Sequence, residues 1–146
     1  MVVAWSLFDG PAPGVTIYQD QTAEIDGVAA FLREALAVGM AASEIGIFVR
    51  SPDAFDRARS AAASGNVQEG ATVALMHLAK GLEFRAVVVM ACDEDLLPLQ
   101  SRVSEAADEG ELDDIYETER QLLYVACTRA RERLAISGVK LIVEKV

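Results

Sequence analysis

The run AVVVMAC, Ala86 to Cys92, decides how this chain is read. It is apolar at every position and carries three valines in sequence, so an extended segment here would bury both of its faces. That suits a central strand of a parallel sheet covered on two sides. At seven residues it is the longest uninterrupted apolar run, far short of the roughly 20 that a membrane-spanning helix needs. A transmembrane segment is excluded. Working outward, Thr72 to Met76 and Ile45 to Val49 read as further strands, Val15 to Tyr18 as a short one, and Leu134 to Ser137 as a last buried one. Helical patterns alternate with them. Asp20 can cap a helix whose Ile25, Val28, Ala29, Leu32 and Leu36 recur at three- and four-residue spacing up to Gly39. Pro52 suits the first turn of a helix reaching about Ala63. A long helix from about Leu112 to Arg131 presents Leu112, Ile115, Tyr116, Leu122, Leu123 and Ala126 inward. Strands alternating with helices imply right-handed crossovers and a three-layer α/β sandwich.

Length and composition agree with one folded domain. The chain has 146 residues, 52% hydrophobic and 25% charged, far from the composition of disordered chains. The breaker pairs Gly10-Pro11 and Pro13-Gly14 predict a flexible segment over residues 1–14 and a domain over 15–138, with 139–146 a strand or tail. Val2 to Phe8 lacks a basic start and meets Asp9 at once, so a secretory signal is not expected and the reading is cytoplasmic. Cys92 and Cys127 show no CxxC spacing, so they read as reduced core thiols; His77 is the single histidine. The net charge of −10 is local: Asp93 to Glu119 holds eleven acids and one base, and the rest of the chain balances twelve against twelve. This patch reads as a solvated face and helix start, with Asp113 and Asp114 in the first turn.

In a parallel sheet, ligands lie beyond the carboxyl ends of the strands. Three places there hold residues that packing explains poorly. The loop HLAKGLEF, His77 to Phe84, concentrates His, Lys and Glu around a glycine free to take positive φ. In LLYVACTRAR, Leu122 to Arg131, Arg129 follows an apolar helical run and must reach solvent, pair with Glu119 or Glu132, or face an anion. Arg50 follows an all-apolar strand and could pair with Asp53. Two guanidiniums could converge on a phosphate. No GxxxxGK[ST] or GxGxxG is present, so this chain is expected to lend arginines to a nucleotide held elsewhere, in the manner of an arginine finger.

These residues carry a family resemblance. HLAKGLEF followed by a valine strand resembles motif V of superfamily 1 helicases of the UvrD/Rep/PcrA kind, TERQLLYVACTRARERL (Thr118 to Leu134) resembles motif VI, and IGIFVRS (Ile45 to Ser51) resembles motif IV. The resemblance implies the second RecA-like motor domain: a P-loop NTPase-type three-layer sandwich with a mostly parallel sheet, lacking the P-loop itself. It implies that Arg129 is the arginine finger and that Arg50 also reaches the γ-phosphate. Glu83 would lie near the ribose, with Lys80 and Gly81 shaping the loop. His77 would stand where DNA track and nucleotide cleft meet, and Tyr124, Glu119 and Thr128 would support the finger helix. The implied partners are an N-terminal RecA-like domain, ATP with Mg2+ held by that domain, and single-stranded DNA. The activity is 3′ to 5′ translocation by the joined halves, with the chain a monomer and inactive alone.

Two departures stand out. Leu75 and Leu78 occupy positions where the family pattern T-x-H-S-A-K-G has hydroxyls, so little or no DNA binding is expected from the chain alone. Ser64 to Ala71 stands where the family carries a large accessory subdomain. Two other readings compete: a stand-alone RecA-like scaffold domain without motor activity, and a small hydrolase using Cys92 or Cys127 with His77.

Overall fold

The computed structural model describes residues 14–93 and 107–139. Among these residues five strands form one sheet: β1 (Gly14–Tyr18), β2 (Ile45–Val49), β3 (Thr72–Leu75), β4 (Phe84–Val89) and β5 (Ala130–Val139). Their order is β1-β5-β4-β2-β3, and every pairing is parallel. Among the described residues three α-helices accompany them: α1 (Gln21–Ala37), α2 (Phe55–Ser64) and α3 (Glu109–Cys127). This is the expected α/β sandwich, with the valine run at its centre between β5 and β2.

Alternation along the strands divides the core in two. Ile45, Ile47 and Val49 of β2 join Ala86 and Val88 of β4 beneath α1 and α2, where Val28, Leu32, Ala58 and Ala61 are buried. Phe48, Val87 and Val89 face the other way, against Leu123, Ala126 and Cys127 of α3. Each such Val, Leu, Ile or Phe side chain, fully buried, contributes about 1.5–3 kcal/mol. Gly46 is required by close packing, since a Cβ there would meet the Phe84 ring at 2.7 Å.

Several boundaries move from their sequence positions. Asp20 caps α1 through a 2.8 Å bond from the Ala23 N–H, as its residue type suggests. Pro52 opens a single 3-10 turn before α2 begins at Phe55. Helix α3 starts at Glu109, capped by Asp108, so Glu109 and Glu111 fill the first turn rather than Asp113 and Asp114. It ends at Cys127, four residues before Arg131, because β4 claims the following backbone: the Phe84 N–H donates to the Arg129 carbonyl at 2.9 Å, and Ala130 pairs with Phe84. Strand β5 is accordingly ten residues long and absorbs Leu134 to Ser137. The expected segment 1–14, except Gly14, the tail 140–146 and the part of the acidic patch at 94–106 lie outside the described residues. Among the described residues no helix is long and apolar enough to cross a membrane.

Candidate functional site

Between β3 and β4 the chain returns across the sheet in the eight residues 76–83, where a parallel crossover ordinarily takes a dozen or more. There is no room for a crossover helix. A 3-10 turn over Met76–Leu78 and buried Met76 and Ala79 pack the segment along α3 instead. His77, Lys80, Gly81, Leu82 and Glu83 remain exposed. Gly81 has φ +85°, with nothing near its open side, so backbone conformation and not space selects glycine. The exposed Glu83 carboxylate meets Arg131 Nε at 2.9 Å.

Arg129 lies two residues beyond the end of α3, in the turn that leads into β5, and not within the helix as its spacing implied. Among the described residues its half-buried guanidinium donates only to neutral acceptors: Nε to the Val125 carbonyl at 3.1 Å, Nη1 to the Leu82 carbonyl at 3.4 Å and Nη2 to Thr128 Oγ1 at 3.3 Å. Thr128 Oγ1 itself donates to the Val125 carbonyl at 3.0 Å. The carboxylates considered for Arg129 are engaged elsewhere. Glu119 binds Arg50, and Glu132 binds Arg85, whose hydrogen bond holds that carboxyl below the usual range. Arg129 has no carboxylate partner among the described residues. A cation anchored by backbone carbonyls keeps its charge uncompensated, which favours an incoming anion. Tyr124, in the last turn of α3, is exposed.

Arg50 is placed differently. Its guanidinium forms a two-point fork with fully buried Glu119, Nε to Oε2 at 2.5 Å and Nη2 to Oε1 at 2.8 Å, and not a pair with Asp53. The structure does not join the two arginines. Their anchors on α3, the Glu119 carboxylate and the Val125 carbonyl, are six residues apart, about 9 Å along a helix axis.

The cysteines are removed from chemistry. Both are buried, and burial pushes Cys127 up to about 12 and Cys92 well above the ordinary thiol range. With His77 exposed on its loop, the small-hydrolase reading is overturned, since a nucleophilic cysteine must ionise near neutrality. Among the described residues no cluster of His, Cys, Asp or Glu is arranged to hold a metal ion.

Sequence reading missed a buried polar network at the carboxyl ends of β4 and β5. Glu24, fully buried on α1, accepts from Arg57 Nη1 at 2.9 Å, the Ala91 N–H at 2.8 Å and Ser137 Oγ at 2.7 Å. Arg57 also meets Asp93 at 2.8 Å, and Asp93 accepts from the Val139 N–H at 2.7 Å. Burial alone would lower the Arg57 pKa, but its bonds to Asp93 and Glu24 outweigh that and raise it. A signal existed: Glu24 stands four residues before Val28 and eight before Leu32, an acid on the apolar face.

Comparison with known proteins covers the same region. The family model of the UvrD-like helicase C-terminal domain matches residues 58–140. The ATP-dependent DNA helicase UvrD2 of Mycobacterium tuberculosis (strain ATCC 25618 / H37Rv) is 42% identical over 81 residues, covering 56% of this chain and 11% of that protein. The ATP-dependent DNA helicase PcrA of Staphylococcus epidermidis (strain ATCC 12228 / FDA PCI 1200) is 42% identical over 73 residues, covering 50% of this chain and 9% of that protein. The chain thus spans about a tenth of the length of the curated relatives it matches. Among solved structures, the C-terminal domain of a possible DNA helicase from Lactobacillus plantarum WCFS1 superposes with TM-score 0.59 at 21% identity, covering 93% of this chain and 79% of that one.

Proposed function

Because the chain belongs to the UvrD-like helicase C-terminal domain family, we propose that it is the second motor half of an ATP-dependent DNA helicase, donating Arg129 to a triphosphate gripped by an N-terminal RecA-like half. The observation that carries this reading is the state of Arg129: a half-buried guanidinium held by the Val125 and Leu82 carbonyls and Thr128 Oγ1, without a countercharge among the described residues. Such a group is oriented in advance for an oxyanion. Arg50 would serve as a second phosphate contact. Glu83 would face the ribose, in competition with its exposed partner Arg131.

The packing supports a route for coupling. The segment 76–83 lies along α3 and accepts from Arg129 at the Leu82 carbonyl, and the Phe84 N–H just beyond it donates to the Arg129 carbonyl. A phosphate drawing on Arg129 therefore pulls on the loop that carries His77, Lys80 and Gly81, the side turned toward single-stranded DNA in this reading. Closure on binding and release after hydrolysis would move the two halves as a ratchet along DNA, 3′ to 5′. Mg2+ would arrive with the nucleotide on the partner half.

The test is Arg129→Ala in the complete helicase. Loss of an arginine finger lowers hydrolysis by about 10³ or more, and that loss is expected here with the fold intact. Wild-type turnover in the variant would remove the assignment.

A further inference from the structure

At the carboxyl end of β2 two observations coincide. The Ser51 hydroxyl is buried with no hydrogen-bond partner, alone in this among the described residues. Its neighbour Arg50 is held along one edge only. Glu119 engages Nε and Nη2, while Nη1 makes no hydrogen bond among the described residues and keeps access to solvent. A guanidinium carries donors on more than one edge, so the fork leaves one edge free.

We propose that the Nη1 edge of Arg50 and the hydroxyl of Ser51 together form a two-donor contact for a terminal phosphate of the nucleotide, with Glu119 the positioning residue that presents that edge. The inference rests on the phosphate role given to Arg50 above. The alternative is a plain brace between β2 and α3. A buried ion pair is a weak source of stability, because desolvation offsets its attraction. A two-point fork, in contrast, fixes the plane of the guanidinium. The geometry also avoids a conflict: stripping Arg50 from Glu119 would break a fork to a fully buried carboxylate, whereas Nη1 can meet an oxyanion with the fork closed. The phosphate then supplies the acceptor that the hydroxyl lacks.

Steady-state ATP hydrolysis and thermal melting of the complete helicase test this in three variants. Ser51→Ala should raise the KM for ATP about tenfold, the worth of one hydrogen bond to a charged group, while melting is unchanged or raised because an unsatisfied buried atom has been removed. Glu119→Gln should raise KM similarly, and should add nothing when combined with Arg50→Ala. If Glu119→Gln fails to fold, Ser51→Ala carries the test alone. Wild-type KM in Ser51→Ala, with Arg50→Ala impaired, would overturn the two-donor contact and leave the reading of Arg50 standing. Wild-type hydrolysis in Arg50→Ala would overturn both.

Discussion

Burial at Cys127 has a consequence that pH exposes. The thiol is held near 12 in the folded chain against an ordinary value of 9.0, so the neutral form is favoured by folding. For a group whose folded pKa is raised, the contribution is whole below the unfolded value and is lost as pH climbs through the folded one. Between about pH 9 and 12 the wild-type chain should therefore lose stability faster than Cys127→Ala. Urea midpoints of both at pH 8 and 10 check this; parallel losses would contradict it. Residue-level reading succeeded where one position's chemistry sufficed. Gly81 was legible because a glycine amid polar loop residues signals positive φ. The partner of Arg50 was not, because Asp53 is adjacent in sequence while Glu119 is 69 residues away. Only the folded helix brings that carboxylate to the strand tip.

Elements were legible where periodicity was unbroken. β2 appears at the bounds its apolar run predicts, and α1 begins at the cap its Asp20 announces. The end of α3 was not, because apolar spacing continues through Leu134 while the ladder with β4 takes over the backbone at Ala130. What ties α1 to the strands is the carboxylate of Glu24, which satisfies Arg57, Ser137 and the Ala91 N–H at once. Glu24→Ala would leave these donors with one acceptor fewer in the interior. Breaking a buried pair from one side costs about 3–5 kcal/mol, a large share of the 5–15 kcal/mol that holds a domain together. Urea denaturation should report a loss of that size, and a loss below about 1 kcal/mol would mean that the network is ornamental.

For the whole molecule, the sheet is parallel throughout its described strands and clad on both faces, the architecture that alternating strands and helices demanded. Strand order was outside the reach of the sequence, since it depends on which strands meet across long crossovers. The functional surface is likewise incomplete at this scale. In the proposed reading the arginines belong to one half and, with no GxxxxGK[ST] or GxGxxG in the 146 residues, the nucleotide belongs to the other. The direct measurement is ATP hydrolysis by the purified chain, alone and joined to its N-terminal motor domain, with single-stranded DNA present. The account predicts no turnover from the chain alone and DNA-stimulated turnover from the joined protein; hydrolysis by the isolated 146 residues would contradict it.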